Sequence, residues 1–350
     1  MIWDSELRYH NSTTLYMGWV SNLVMVNVCL SHKEDPDGIV SASLIKYAYP
    51  NTMVILADYS DLLERLEEAV GIEGLDHLFI CDMGLSKANE ERFFRIVEGM
   101  SRRARVTYID HHHLEEESKD RLRGYGVELI HNITECTSIL IYHNLLNENL
   151  PSRFALLAGF AAVIDEMDGR EIASRILKSY DRHFVEFEAT ILAYAIYQNQ
   201  HREEFLLALV DGLIKDMPHA IDGVLESSRE YAQKITNNIS VIENDARKDK
   251  DIVYIQAVDL PASTVANMLL AMHKGIKVAI AYKQRGDKMV VSLRGSSMCK
   301  LHLGKLANDI ASELGGSGGG HDKASGAMIP KDSINTFIKM VKDYINNSNN

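Results

Sequence analysis

A chain of 350 residues, 46% of them hydrophobic and 25% charged, has the length for two domains and the composition of an ordinary globular protein. A formal net charge of −12 argues against avid, non-specific binding of long nucleic acid but leaves room for a small phosphorylated substrate. Cys29, Cys81, Cys136 and Cys299 form no Cys-x-x-Cys pair, no secretory pattern opens the chain, and the stretch Leu15 to Leu30 is broken by Ser21, Asn22 and Asn27; the expectation is a cytoplasmic protein without a membrane span.

Residues 1–22 carry no usable motif and read at most as a short leading helix. Leu23 to Leu30 is the first clear strand, and it runs into Ser31-His32-Lys33-Glu34-Asp35-Pro36-Asp37-Gly38. A helical pattern through Ile39, Ala42, Leu44, Ile45 and Tyr47 stops at Pro50. Met53 to Ala57 is a strand ending in Asp58, followed by a helix with Leu62, Leu63, Leu66 and Val70 on one face. His77 to Cys81 is a strand ending in Asp82, followed by a helix carrying Phe93, Phe94, Ile96 and Val97. Arg105 to Asp110 is the fourth strand and delivers His111, His112 and His113; a further helix and a short strand, Val127 to Ile130, complete the alternation.

Alternating strands and helices imply a doubly wound parallel α/β sheet, in which ligands bind beyond the carboxyl ends of the strands. That topology gathers His32, Asp35, Asp37, Asp58, Asp82, Asp110 and His111 at one sheet edge. Each aspartate alone has an ordinary use as a turn or helix-capping residue. Crowded together, carboxylates repel, and divalent cations are the simplest compensation. Histidine plus carboxylate without cysteine suits manganese, zinc, iron or cobalt, and two cations sharing one aspartate would form a phosphoryl-transfer centre.

From Pro151 to Met217 the pattern is helical and is expected to complete the first domain, residues 1–218. Pro218 interrupts it. A long polar-faced helix through Tyr231, Ile235 and Ile242 is expected as a connector, residues 219–250. A smaller α/β domain, residues 251–350, then carries a strand at Ile252 to Val258 and a helix at Ser263 to His273. A hairpin follows, turning at Gly286-Asp287, then a helix from Leu301 to Leu314 and the run Gly315-Gly316-Ser317-Gly318-Gly319-Gly320-His321. Glycines let backbone N–H groups approach an anion, although Gly-Ser composition also suits a linker. No Gly-Lys-Ser/Thr follows, so this is not a Walker loop.

Taken together, His32 with Asp-Pro-Asp-Gly at 35–38, Asp82 after a strand, Asp-His-His at 110–112, Asp165 in Ala-Ala-Val-Ile-Asp and the glycine-rich run ending in His321 resemble the DHH phosphoesterase superfamily with its C-terminal DHH-associated domain. The resemblance covers nearly the whole chain. It implies two manganese ions per chain, with magnesium or cobalt as substitutes: His32 and Asp35 on one, Asp37, His111 and Asp165 on the other, and Asp82 bridging. It implies that His112 contacts the scissile phosphate, that Asp110 orients the histidines, and that Arg294, Gly318, Gly319, Gly320 and His321 hold substrate. His113 lies outside the motif, and Asp168 is a second candidate for the position of Asp165. The implied activity is manganese-dependent hydrolysis of short oligonucleotides or a small nucleotide, of the oligoribonuclease or phosphoadenosine phosphate phosphatase type. Cyclic dinucleotide cleavage, a RecJ-like single-strand exonuclease, inorganic pyrophosphatase and a non-catalytic nucleotide- or replication-factor-binding protein are the alternatives. A homodimer is compatible with the sequence.

Overall fold

The computed structural model describes residues 25–85 and 87–347; the leading helix expected over 1–22 falls outside them. The described chain forms two compact units. One comprises the residues up to Glu186 together with Glu203–Asp216; the other comprises Phe187–Arg202 and the residues from Met217 on.

The first unit opens with β1 (Val26–His32), α1 (Pro36–Ala48), β2 (Thr52–Ala57), α2 (Leu62–Val70), β3 (Leu75–Cys81), α3 (Lys87–Ser101), β4 (Arg105–Asp110), α4 (Glu116–Gly124) and β5 (Glu128–His131). These build a five-stranded parallel sheet in the order β2-β1-β3-β4-β5. The inner strands are buried on both faces, which explains their continuous apolar runs. Val28, Leu30, Ile80 and Tyr108 pack with Phe93, Phe94 and Leu66 in one core. Helix α1 is buried from Pro36 to Ile45, so it shows no polar face. The connections from β1 and β3 leave in opposite directions, which opens a crevice at their carboxyl ends, where such sheets bind ligands.

Helices complete this unit: α5 (Thr137–Leu140), which runs on as a π turn over Ile141–Leu145, then α6 (Ser152–Ile164), α7 (Glu171–Leu177), the start of α8 (Arg182–Gln198), and α9 (Glu203–Leu213). From Phe187 on, α8 belongs to the second unit, so the helical region does not all stay with the first domain as the sequence suggests.

The second unit continues with α10 (Val224–Asp245), β6 (Arg247–Asp249), β7 (Ile252–Gln256), α11 (Ala262–Met272), β8 (Val278–Arg285), β9 (Lys288–Gly295), α12 (Leu303–Glu313), β10 (Ser317–Gly320), β11 (Ala324–Pro330) and α13 (Ile334–Asn347). Its six-stranded sheet has the order β10-β11-β9-β8-β7-β6, with only β7 and β8 parallel. Gly286, at φ 63, makes the tight turn of the β8–β9 hairpin. One expectation is corrected here. Helix α10 is not a free-standing connector: Tyr231 and Ile242 are buried with Val253, Ile255 and Leu269 in this unit's core. Within the glycine run, Ser317–Gly320 is an edge strand paired with β11, which sets aside the linker alternative.

Candidate metal centre

Each ligand-type side chain of the first unit is placed by a strand end or a helix start. Asp35 is the N-cap of α1: its side chain accepts a hydrogen bond from Gly38 N at 3.2 Å, and Pro36 occupies the first turn. Asp-Pro-Asp-Gly is therefore a helix start as well as a ligand motif. Gly38 is obligatory, because a Cβ there would lie 2.1 Å from His32 O. Asp37, in the first turn, is turned inward, and its two carboxylate oxygens accept from Thr137 N at 2.7 Å and Ser138 N at 2.8 Å, the first amides of α5. Asp82 leaves β3 in the left-handed region, at φ 57, and accepts from Thr137 Oγ1 at 3.1 Å. Asp165 sits at the carboxyl end of α6, where a left-handed Glu166 ends the helix and Met167 N bonds Ala162 O. A carboxylate at that end of a helix opposes the helix dipole and gains from a nearby cation.

These residues form three overlapping trios whose donor atoms lie within 4.8 Å of one another: His32, Asp35 and Asp82; Asp37, His111 and Asp165; and Asp82, His111 and His112. His32 Nδ1 is 3.0 Å from Asp35 Oδ2 and 3.7 Å from Asp82 Oδ2. His111 Nε2 is 3.4 Å from Asp82 Oδ1 and 3.9 Å from both Asp37 Oδ2 and Asp165 Oδ2. Asp110 stands behind the trios, its Oδ1 accepting from His112 Nδ1 at 2.8 Å.

The electrostatics follow from crowding. Burial, then the charge of Asp82, pushes Asp37 up to about 7. Burial, then Asp37 and Asp35, pushes Asp165 up to about 9. Burial opposes a charge on the imidazoles, yet the carboxylates overcome it: His32 rises to about 11 beside Asp35 and Asp82, and His111 to about 9 beside Asp82 and Asp37. Asp82 moves the other way; burial would raise it, but His111 and His32 hold it well below the usual carboxylate range. Two carboxylate oxygens of the cluster, Asp82 Oδ2 and Asp165 Oδ2, are buried without a hydrogen-bond partner, as is the far ring nitrogen of His32, Nε2. Unpartnered buried donors among mutually repelling carboxylates fit divalent cations, which replace protons on just such groups.

Other sequence candidates lie elsewhere. Asp58 ends β2 but pairs with Lys33 Nζ at 3.1 Å and binds Ser60 N at 2.6 Å, a turn and ion-pair role. Asp168 lines a separate cavity with Leu177 and Tyr180. His113 is exposed and faces a recess with His131 and Glu116. In the second unit, Gly318, Gly319 and Gly320 line a cavity of about 330 Å³ with His302, Lys305 and Asn308, while His321 is exposed at the strand end. Packing explains most of these glycines. A Cβ on Gly318 would lie 2.5 Å from Ala307 O, and one on Gly304 would lie 2.0 Å from Gly320 O; only Gly319 has open space beside it. Arg294, on β9, donates to Asn267 Oδ1 at 2.7 Å and Ser292 Oγ at 3.1 Å, with no carboxylate partner among the described residues. Tyr59, Tyr108, Thr137 and Ser138 escaped the sequence reading because their contacts join distant segments.

Comparison with known proteins now bears on this geometry. Residues 253–347 match the model of the DHHA1 domain. The described fold superimposes on RecJ from Thermus thermophilus, solved in complex with Mn²⁺, with a TM-score of 0.65 at 15% identity over 92% of this chain and 52% of RecJ. The chain shares the fold of RecJ, and its residues 253–347 carry the DHHA1 match. The pGpG-specific phosphodiesterase PggH of Vibrio cholerae shares this fold, with a TM-score of 0.57 at 13% identity, covering 92% of this chain and 99% of PggH. In sequence, this chain is 27% identical over 240 residues to the uncharacterized protein MJ0831 of Methanocaldococcus jannaschii; the match covers 63% of this chain and spans about half (53%) of that relative. Among the described residues, no helix is long and apolar enough to cross a membrane.

Proposed function

We infer that this DHH–DHHA1 chain is a two-metal phosphodiesterase acting on short oligonucleotides or a small nucleotide. The observation that carries this reading is the convergence of His32, Asp35, Asp37, Asp82, His111 and Asp165 at the carboxyl ends of β1, β3 and β4 and the end of α6, with carboxylate oxygens of Asp82 and Asp165 buried and unpartnered. His32, Asp35 and Asp82 would hold one divalent cation; Asp37, His111 and Asp165 the other, with Asp82 shared. Bound there, such cations supply Lewis-acid stabilisation of the phosphate and a water of lowered pKa. Manganese suits the mixed imidazole and carboxylate donors. The chain's own part is positional. Thr137 and Ser138 amides aim both oxygens of Asp37, and Asp110 holds the His112 ring by Nδ1, which leaves Nε2 as the edge that would meet a phosphate. In the second unit, Arg294 and the cavity at Gly319 are suited to an anionic group.

The experiment is a panel of labelled RNA and DNA oligomers of graded length, with pGpG, cyclic di-adenylate, 3′-phosphoadenosine 5′-phosphate and pyrophosphate, assayed with and without manganese. Turnover confined to short oligomers or one nucleotide supports the reading. Absence of metal-dependent turnover on all of them, with a protein partner recovered instead, would favour a binding role.

A further inference from the structure

His112 is held on every side but one. Its Nδ1 lies 2.8 Å from Asp110 Oδ1, and because a carboxylate only accepts, that nitrogen carries hydrogen. Asp110 is buried, and its other oxygen accepts from the Tyr108 hydroxyl at 3.3 Å. The main-chain oxygen of His112 accepts from His131 Nε2 at 2.6 Å. Gly84 lies so close that a Cβ there would come 3.0 Å from His112 Cβ. The remaining edge, Nε2, meets the Tyr59 hydroxyl at 3.1 Å.

Tyr59 comes from another strand end, just past β2. Its ring is 5.1 Å from the His32 ring and stands edge-on to His112 at 6.2 Å. The residue is 43% exposed, so Tyr59 stands at the rim of the centre and is not part of the core. A hydroxyl has one hydrogen to donate and a rotor with which to redirect it. Beside Nε2 it gives or accepts one hydrogen bond; beside an anionic oxygen, which only accepts, it turns and donates, and the bond is stronger for the charge.

The geometry points to Tyr59 as a substrate-binding residue that shares one non-bridging phosphate oxygen with His112. The assignment of that anion as a phosphate rests on the hydrolase reading above. Two groups 3.1 Å apart can straddle a single oxygen, each at ordinary hydrogen-bond length.

The test uses the full-length, manganese-loaded protein. Tyr59→Phe keeps the ring against His32 and removes only the hydroxyl. Expected is a roughly tenfold weaker affinity for inorganic phosphate by calorimetry and a roughly ten- to hundredfold lower kcat/KM on the best oligomer. Manganese stoichiometry and melting temperature should be those of the wild type. In the Tyr59→Phe/His112→Ala pair, the combined loss should fall short of the product of the single losses, because both groups serve one oxygen. Wild-type phosphate affinity and turnover in Tyr59→Phe would overturn the inference, as would fully multiplicative losses or a wild-type protein that binds no phosphate. Phosphate binding that depends on Tyr59, without turnover of any phosphodiester, would instead remove the hydrolase reading and leave this contact standing.

Discussion

Replacing Gly38 with alanine tests the link between backbone packing and the metal centre. The added methyl would sit 2.1 Å from His32 O and 2.7 Å from His32 C, about 1 Å inside any tolerated contact. Both sides of this clash are main chain, so no rotamer change relieves it; the start of α1 must move away from the end of β1. Overpacking of this kind costs about 1–3 kcal/mol, and a backbone clash belongs at the upper end. At roughly 2–4 °C per kcal/mol for a unit of this size, the melting temperature should fall by about 5–10 °C. Moving α1 also displaces Asp35 and Asp37 from His32, and displacements near 1 Å cost on the order of 10²-fold in rate. The assays are thermal melting, manganese titration and oligomer hydrolysis on the same preparation. A Gly38→Ala protein with wild-type melting temperature and wild-type manganese affinity would refute the argument that this glycine sets the ligand geometry.

Asp82→Asn should weaken manganese binding most among single ligand changes, because Asp82 and His111 each lie in two of the trios and of the pair only Asp82 carries a negative charge to lose; losing a unit charge about 4 Å away costs on the order of 4 kcal/mol at an effective dielectric of 20, or about 10³-fold in affinity, read by equilibrium dialysis. Removing metal with a chelator should lower the melting temperature and manganese should restore it, each site contributing about 2.7 kcal/mol at a hundredfold excess over its Kd; an unchanged melting curve would count against a cation site. Arg294→Gln should raise KM about tenfold or more while leaving the melting temperature near wild type, since Arg294 has no carboxylate to strand. A fall in stability with unchanged KM would make Arg294 structural.

The strand ends were legible without coordinates because their signals are local. A valine-rich run followed by His32, or a buried run ending in Asp82 or Asp110, is visible in a few residues, and alternation with helices sends all such ends to one edge. The glycine run shows the limit of local reading: its composition suits a linker, yet Gly318 is small because β10 lies directly against α12 and Gly320 because β11 crowds it, and those contacts are set by tertiary packing.

By itself, then, the amino-acid order determined which residues end the strands, that the sheet is parallel, and that carboxylates and imidazoles meet at one edge. The periodicity of burial and the capping chemistry of Asp35-Pro36 act over single elements and need no partner. Only the folded structure decided that Asp37 is aimed by Thr137 and Ser138, that Asp165 rather than Asp168 stands at His111, that Asp58 is diverted to Lys33, and that Tyr59 reaches His112. Those contacts depend on strand order, with β1 between β2 and β3, and on helix ends brought together by packing. No local pattern encodes which distant segment becomes a neighbour, because burial periodicity specifies that a face is covered and not what covers it.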